Sequence, residues 1–215
     1  RAETLPEDEH VHRLRQTLED SVYKRLMSDV PLGTFLSGGL DSSIISALTA
    51  KRIEGLHTFV VGLPGSGDLP AAQLVADHIG SNHHIYHLTK KEVMEKLPDI
   101  IYHLESFDQD LVRSAVPCYF TSRMAAQEVK VILTGEGADE LFGGYKYYKE
   151  IDDEDALHAE LVRSVQSLHN VNLQRVDRMT MAHSLEGRVP FLDLKMIEAG
   201  QVVPTELKLK GDPPM

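Results

Sequence analysis

The nine residues FLSGGLDSS, at positions 35–43, join an apolar run to a segment with helical spacing through two adjacent glycines. Glycine readily adopts positive φ and lets main-chain N–H groups approach a ligand closely. The following helix adds unsatisfied N–H groups and the positive end of its dipole. Ser37, Ser42 and Ser43 add hydroxyl donors. The turn suits an anion such as pyrophosphate, although it has neither the lysine of the GxxxxGK[ST] loop nor the spacing of GxGxxG.

The carboxylate of Asp41, inside this turn, has two interpretations. As a structural residue, it would favour the start of the helix through the helix dipole, by about 0.3–1 kcal/mol. As a ligand, it would share a Mg²⁺ with phosphate oxygens, since magnesium is usually held by one or two carboxylates and by phosphates. The nine residues alone leave both interpretations open.

Strands and helices alternate along the first 150 residues. The predicted strands lie at 33–36, 57–62, 83–88 and 129–135. The predicted helices lie at 9–27, 41–52, 71–78, 90–104 and 114–128. A continuous apolar strand such as VKVILTG (129–135) is typical of a parallel sheet that is covered on both faces. We therefore predict an α/β domain with a doubly wound parallel sheet over residues 1–150. The spacing then becomes helical without a strand, which predicts a helical lobe over residues 151–215.

A second acidic cluster follows the last predicted strand. The segment GEGADELFGGY (135–145) places Glu136, Asp139 and Glu140 among four glycines. Ligands of open parallel sheets bind beyond the carboxyl ends of the strands, so Asp41 and Asp139 could share a Mg²⁺ there. A third carboxylate could orient or deprotonate a nucleophile. The alternative is a solvated loop with a helix N-terminus at Asp139.

Composition narrows the class of protein. Lys and Arg number 22 and Asp and Glu number 33, so the formal net charge is −11, which argues against nucleic acid as the main partner. The negative net charge does not exclude an ATP site, because a divalent metal and helix N-termini can bind phosphate locally. Cys118 is the single cysteine, which fits a reducing, cytoplasmic compartment. No apolar run approaches the ~20 residues that span a bilayer, so we expect no membrane partner.

The segment EGRVPFLD (186–193) places three charged residues around an apolar Val-Pro-Phe-Leu run. We predict that this segment docks the helical lobe against the sheet, with Glu186, Arg188 and Asp193 in charge pairs. Direct contact with a substrate is the less favoured alternative.

Three motifs in order carry a resemblance to a known family. The loop SGGLDSS (37–43) resembles the pyrophosphate loop of the PP-loop ATP pyrophosphatases, whose fold is the adenine nucleotide alpha hydrolase-like fold. GEGADELFGGY (135–145) and then RMTMAHSLEGRVPFLD (178–193) narrow the resemblance to the synthetase domain of glutamine-dependent asparagine synthetases. The resemblance runs from about residue 10 to the end of the chain.

The resemblance implies a reaction and a set of site residues. ATP and aspartate would form β-aspartyl-AMP and pyrophosphate, with Mg²⁺ as cofactor, and ammonia would then displace AMP to give asparagine. The residues implied for the pyrophosphate end of ATP are Ser37, Gly38, Gly39, Asp41 and Ser42. Those implied for the nucleoside are Leu36, Val61 and Gly135, and those implied for Mg²⁺ are Asp41 and Asp139. Glu136 would position ammonia or receive its proton, and Arg113 would lie near the aspartate substrate.

The chain also departs from the family pattern. The family carries a glutaminase half that begins with a nucleophilic cysteine, whereas this chain begins with Arg1. We therefore expect that the glutaminase domain is absent here and present in the full-length protein. The family also continues with a helical segment that carries a lysine, and neither Lys208 nor Lys210 matches that motif. We expect the lobe over 151–215 to be truncated.

Two other functions stay open at this point. One is an enzyme like β-lactam synthetase, which adenylates a different carboxylate. The other is a nucleotide-binding fragment without catalytic competence. The sequence does not determine the oligomeric state, and a homodimer is a hypothesis that it leaves open.

Overall fold

The computed structural model describes residues 5–209. Its centre is a sheet of five strands in the order β3-β2-β1-β4-β5, and every neighbouring pair is parallel. The strands are β1 Leu32–Phe35, β2 His57–Gly62, β3 Asn82–His87, β4 Val131–Leu133 and β5 Glu186–Arg188. The predicted doubly wound parallel α/β fold is confirmed.

Ten α-helices connect and cover these strands in the described part of the chain. The first five are α1 Glu7–Lys24, α2 Leu40–Ala50, α3 Asp68–Ile79, α4 Lys90–Leu104 and α5 Gln109–Ala125. The others are α6 Ala138–Phe142, α7 Glu154–Ser167, α8 Asn172–Met181, α9 Leu194–Gln201 and α10 Thr205–Lys208. Three short 3₁₀ helices lie at Lys146–Glu150, Leu168–Asn170 and Pro190–Leu192. No helix within residues 5–209 is both long and apolar enough to cross a lipid bilayer.

Alternation along the strands separates two apolar layers. In β4, Val131 and Leu133 pack on one face with side chains of α1 and α2, such as Leu18 and Ile45. Ile132 points to the other face, where it packs with residues at the end of α5. Successive side chains of a strand point to opposite faces, so both faces of the central strands are buried. This explains why their sequences are continuously apolar.

Capping residues set the starts of two helices. α4 begins after Thr89, whose hydroxyl accepts a hydrogen bond from the Glu92 N–H at 3.2 Å, while the Glu92 carboxylate accepts one from the Thr89 N–H at 3.0 Å. This capping box agrees with the predicted helix 90–104. α5 begins earlier than the predicted residue 114, because Asp108 accepts hydrogen bonds from the N–H groups of Asp110 and Leu111.

The strand β5 corrects the prediction of helices alone after residue 150. It pairs in parallel with β4, with Val131 opposite Glu186 and Leu133 opposite Arg188. The strand has three residues at the edge of the sheet and is partly exposed, so it has no apolar run and no alternation to identify it. The sheet therefore takes one strand from the predicted helical lobe. The proposed division at residue 150 stays a prediction, and residues 1–4 and 210–215 of its two ranges lie outside the described residues.

The predicted charge pairs of segment 186–193 are present, whereas its role in docking a helical lobe stays a prediction. The Asp193 carboxylate accepts hydrogen bonds from Lys24 Nζ at 2.7 Å and Arg25 Nη1 at 2.9 Å, and it also caps α9. Arg188 pairs with Glu186 at 2.7 Å and donates to the Arg25 carbonyl at 2.7 Å. These bonds join the end of α1 to β5 and to the segment that follows β5.

Asp193 provides a first test of this junction. Burial alone would raise the pKa of Asp193, but the hydrogen bonds from Lys24 and Arg25 hold it at about 2, below its ordinary value of 3.8. A depressed carboxylate pKa stabilises the folded state above the unfolded pKa, and this contribution is lost as the pH falls through the folded pKa. We expect Asp193→Asn to lower the free energy of unfolding by about 1–2 kcal/mol at pH 7, after allowance for the exposed lysine.

Urea unfolding of Asp193→Asn and the parent chain at several pH values tests this expectation. The difference should shrink as the pH falls from about 4 towards 2. A difference that is the same at pH 7 and pH 2.5 would show that charge pairing is not the source of the stabilisation.

Candidate active site at the strand ends

A cleft of about 420 Å³ lies at the carboxyl ends of β1, β2 and β4. Side chains of α5 and α8 form its other wall. The predicted site residues that line it are Leu36, Ser37, Gly39, Asp41, Ser42, Val61, Gly135, Glu136 and Asp139. Two predicted site residues, Gly38 and Arg113, do not line the cleft. The strand order explains the grouping, because β4 and β2 are the two neighbours of β1.

The loop between β1 and α2 is held by its own serines. Ser42 Oγ accepts a hydrogen bond from the Ser37 N–H at 3.2 Å and donates one to the Gly39 carbonyl at 3.1 Å. Ser43 Oγ also donates to the Gly39 carbonyl, at 2.6 Å. Gly39 precedes α2 in an extended conformation, and no described side chain caps this helix end. The first N–H groups of α2 therefore remain available to an anion.

Two glycines allow close approaches that shape this loop. Gly38 has φ of +83°, and a Cβ there would lie 2.5 Å from the backbone of Ala71 in α3. Gly38 is therefore packed against α3, which explains why it is absent from the cleft wall. A Cβ on Gly135 would lie 3.0 Å from the Asp41 Cβ and 3.2 Å from the Ser42 nitrogen. The loop after β4 thus packs directly on the first turn of α2.

This packing groups the predicted metal-binding acids. Burial, together with the nearby charges of Asp139 and Glu140, raises the pKa of Asp41 to about 6. Burial and Glu140 likewise raise the pKa of Asp139. No described cation contributes to either pKa. A divalent cation would relieve the repulsion between these carboxylates.

The cleft offers only part of the coordination shell that Mg²⁺ requires. Within residues 5–209, no three His, Cys, Asp or Glu side chains converge to hold a metal ion by themselves. Asp41 and Asp139 can supply two oxygen ligands beside the loop between β1 and α2. Mg²⁺ commonly takes one or two carboxylates and completes its shell with water and substrate phosphates. The residues fit Mg²⁺ in that form, which requires a phosphate ligand.

Glu136 is held by a cation that we did not predict. Its carboxylate accepts a hydrogen bond from the guanidinium of Arg175, and the two side chains are only 19% and 16% exposed. Burial raises the pKa of Glu136, and Arg175 opposes this rise. Arg175 lies on α8, 39 residues further along the chain. Helical spacing does not distinguish it from Arg178, which instead pairs with Glu105 at 3.1 Å.

Glu140 is held by neutral donors. Its Oε1 accepts hydrogen bonds from the Tyr145 hydroxyl at 2.6 Å and from Asn172 Nδ2 at 2.7 Å. Glu140 is only 5% exposed, yet it lines the cleft together with Asn172. The motif at 135–145 indicates that Glu140 is near the site, whereas nothing in the sequence points to Asn172.

Arg113 lies outside this arrangement. Its side chain is 78% exposed and pairs with Asp110 at 3.2 Å. The cleft-lining residues of α5 are Ser114, Pro117, Cys118 and Thr121. These residues follow the three- and four-residue spacing of one helix face, and Arg113 is not on that face. Its proposed position near aspartate stays a prediction.

Comparison with known proteins gives the family. The chain matches the asparagine synthase family over residues 13–154 and 149–213. It is 45% identical over 216 residues to asparagine synthetase B, a glutamine-hydrolysing enzyme of Escherichia coli K12, with coverage of 94% of this chain and 39% of that protein. A probable asparagine synthetase of Schizosaccharomyces pombe is 44% identical over 216 residues, with coverage of 91% and 39%. The chain thus spans about two-fifths of the length of these curated relatives.

A solved structure of much lower sequence identity supports the fold. The U34-tRNA thiolase NcsA of Methanococcus maripaludis superposes with a TM-score of 0.50 over 97% of this chain and 68% of that chain, at 16% identity. Identity this low supports the fold alone. Function is indicated instead by the family match, which covers the glycine loop, the acidic segment after β4 and the segment that contains β5. On these grounds, the chain belongs to the asparagine synthase family.

Proposed function

We propose that this chain is the ATP-dependent synthetase part of a glutamine-hydrolysing asparagine synthetase. A side-chain carboxylate oxygen of aspartate attacks the α-phosphorus of ATP, and the bond to the bridging oxygen breaks to release pyrophosphate. Ammonia then attacks the acyl carbon of β-aspartyl-AMP, AMP leaves with the bonding electron pair, and the nitrogen loses a proton. The observation that carries this proposal is one cleft in which, among residues 5–209, no side chain caps the N-terminus of α2 and no cation pairs with Asp41 or Asp139.

The loop residues bind and orient ATP in this proposal. The N–H groups at the start of α2 and the hydroxyls of Ser37 and Ser42 donate to the β- and γ-phosphates. Leu36, Val61 and Gly135 contact the nucleoside. Mg²⁺ held by Asp41 and Asp139 would offset the charge of the triphosphate.

Glu136 serves the second step. Its pairing with Arg175 favours the ionised carboxylate despite burial. An ionised Glu136 can accept a hydrogen bond from ammonia and then the proton released when the amide forms. The nitrogen of ammonia becomes positively charged when it bonds to the acyl carbon. It must then release one proton to a base in the cleft.

The nitrogen source belongs to the longer protein. The curated relatives are named as glutamine-hydrolysing, and this chain spans 39% of their length. We infer that a glutaminase domain supplies ammonia in the full-length protein. The chain described here would then use added ammonia and leave glutamine unchanged.

Exchange of labelled pyrophosphate into ATP tests the adenylation step. We expect exchange that requires both aspartate and Mg²⁺, and mass spectrometry after hydroxylamine trapping should detect aspartyl hydroxamate. A hydroxamate of another acid, with none from aspartate, would favour an enzyme like β-lactam synthetase. ATP binding without any exchange would favour the catalytically incompetent fragment, and EDTA addition serves as the control for metal dependence.

A further inference from the structure

One buried carboxylate of the cleft, Glu140, has no role in the proposed chemistry. Glu136 is paired with Arg175, and Asp41 and Asp139 are assigned to Mg²⁺. Glu140 forms no ion pair with a described residue, although it is only 5% exposed. A buried carboxylate without a cationic partner destabilises the fold, so its retention calls for a ligand.

The contacts of Glu140 orient the group rather than neutralise it. Tyr145 and Asn172 both donate to Oε1, at 2.6 and 2.7 Å, and Asn172 Nδ2 also donates to the Tyr145 oxygen at 3.2 Å. No described donor hydrogen-bonds Oε2. The three residues come from α6, from the loop after it and from α8, so the carboxylate is fixed from two sides. Such a group is pre-organised to accept a hydrogen bond from a cationic donor.

The proposed substrates contain one cation of matching chemistry. ATP and ammonia carry no fixed positive charge, whereas aspartate carries an α-ammonium group with three N–H donors. We propose that Glu140 binds the α-ammonium group of the substrate, with Tyr145 and Asn172 as positioning residues. Glu140 thereby selects an α-amino dicarboxylate over one without the amino group. This inference rests on the proposed function, since it takes aspartate as the substrate.

Succinate, which is aspartate without its amino group, provides the probe. Calorimetric titrations of aspartate and succinate are carried out with Mg²⁺ and α,β-methylene-ATP present, so that binding is measured without turnover. We expect Glu140→Gln to weaken aspartate binding by about 10- to 100-fold and to change succinate binding by less than about threefold. Glutamine retains the shape and the acceptor for Tyr145, so the fold should survive.

Two further variants support the test. Tyr145→Phe keeps the charge and removes one positioning bond, so we expect the same selectivity change at about 3- to 10-fold. Glu154→Gln, on the exposed face of α7, is the matched control and should leave both affinities unchanged. Circular dichroism melting checks that each variant is folded.

The outcomes separate this inference from the proposed function. If Glu140→Gln weakens both acids equally, or weakens Mg²⁺ binding alone, Glu140 is not the ammonium ligand and the inference fails. If the parent chain forms the aspartyl adenylate but binds succinate as tightly as aspartate, the inference fails while the proposed function stands. If the parent chain binds neither acid and supports no exchange, both fail.

Discussion

Asp41→Asn will reduce aspartate-dependent pyrophosphate exchange by at least about 100-fold, because it removes a charge that we propose to hold Mg²⁺ against the triphosphate. Asparagine has nearly the same shape and retains one oxygen, so the loss measures the charge of Asp41. Asp139→Asn should have a similar effect. The double variant should be little worse than either single one, since the two acids are proposed to hold the same ion.

The same substitution should stabilise the chain in the absence of nucleotide and metal. The pKa of Asp41 is raised from 3.8 to about 6, so ionisation disfavours the folded state. The cost is absent below the unfolded pKa and complete above the folded pKa, so stability from this group falls as the pH rises from about 4 to 6. We expect Asp41→Asn to raise the free energy of unfolding by about 1 kcal/mol at pH 7.5, or a melting temperature by about 2–4 °C.

Melting curves with and without Mg²⁺ and ATP measure the change in stability and the loss of Mg²⁺ binding. Mg²⁺ with ATP should raise the melting temperature of the parent chain and have little effect on Asp41→Asn. Asp152→Asn, an exposed acid before α7, is the control. Equal exchange rates in Asp41→Asn and the parent chain would contradict the proposed metal site.

Arg175→Met should be the most destabilising of the substitutions considered. It leaves Glu136 charged and buried, and breaking a buried ion pair on one side costs about 3–5 kcal/mol. For a chain of this size the melting temperature should fall by about 10 °C or more. Methionine matches much of the arginine side chain in volume. The loss of stability therefore reflects the missing charge more than a new cavity.

The dependence on pH and on the partner identifies the cause. Without Arg175, the pKa of Glu136 should rise further above its ordinary value of 4.5, because burial is no longer opposed. The destabilisation should therefore be largest near neutral pH and shrink as the pH falls towards 4, where Glu136 is protonated. The double variant Glu136→Gln/Arg175→Met should be more stable than Arg175→Met alone. Additive losses in a double-mutant cycle would contradict direct pairing.

Local sequence was enough to predict the parts of the molecule that depend on chain neighbours. The glycine loop at 35–43, the strand 57–62 and the helix 90–104 follow from the backbone freedom of glycine and from the local pattern of apolar residues. Asp41 and Asp139 could also be predicted to meet, because both follow strands of one parallel sheet and the carboxyl ends of such strands share an edge.

The remaining features depend on contacts between distant segments. β5 has too few apolar residues to be recognised and is a strand only because β4 offers a free edge. Arg175 reaches Glu136 across 39 residues, and Asn172 reaches Glu140 across 32. Arg113 points outward because the helix face of Ser114 and Cys118 is the one that packs towards the cleft. The sequence by itself determined most of the helices and strands and the loop that we predict to bind an anion, since those depend on local propensity. Only the tertiary structure decided which charges are paired, because pairing depends on how α8 and α6 are placed over the sheet.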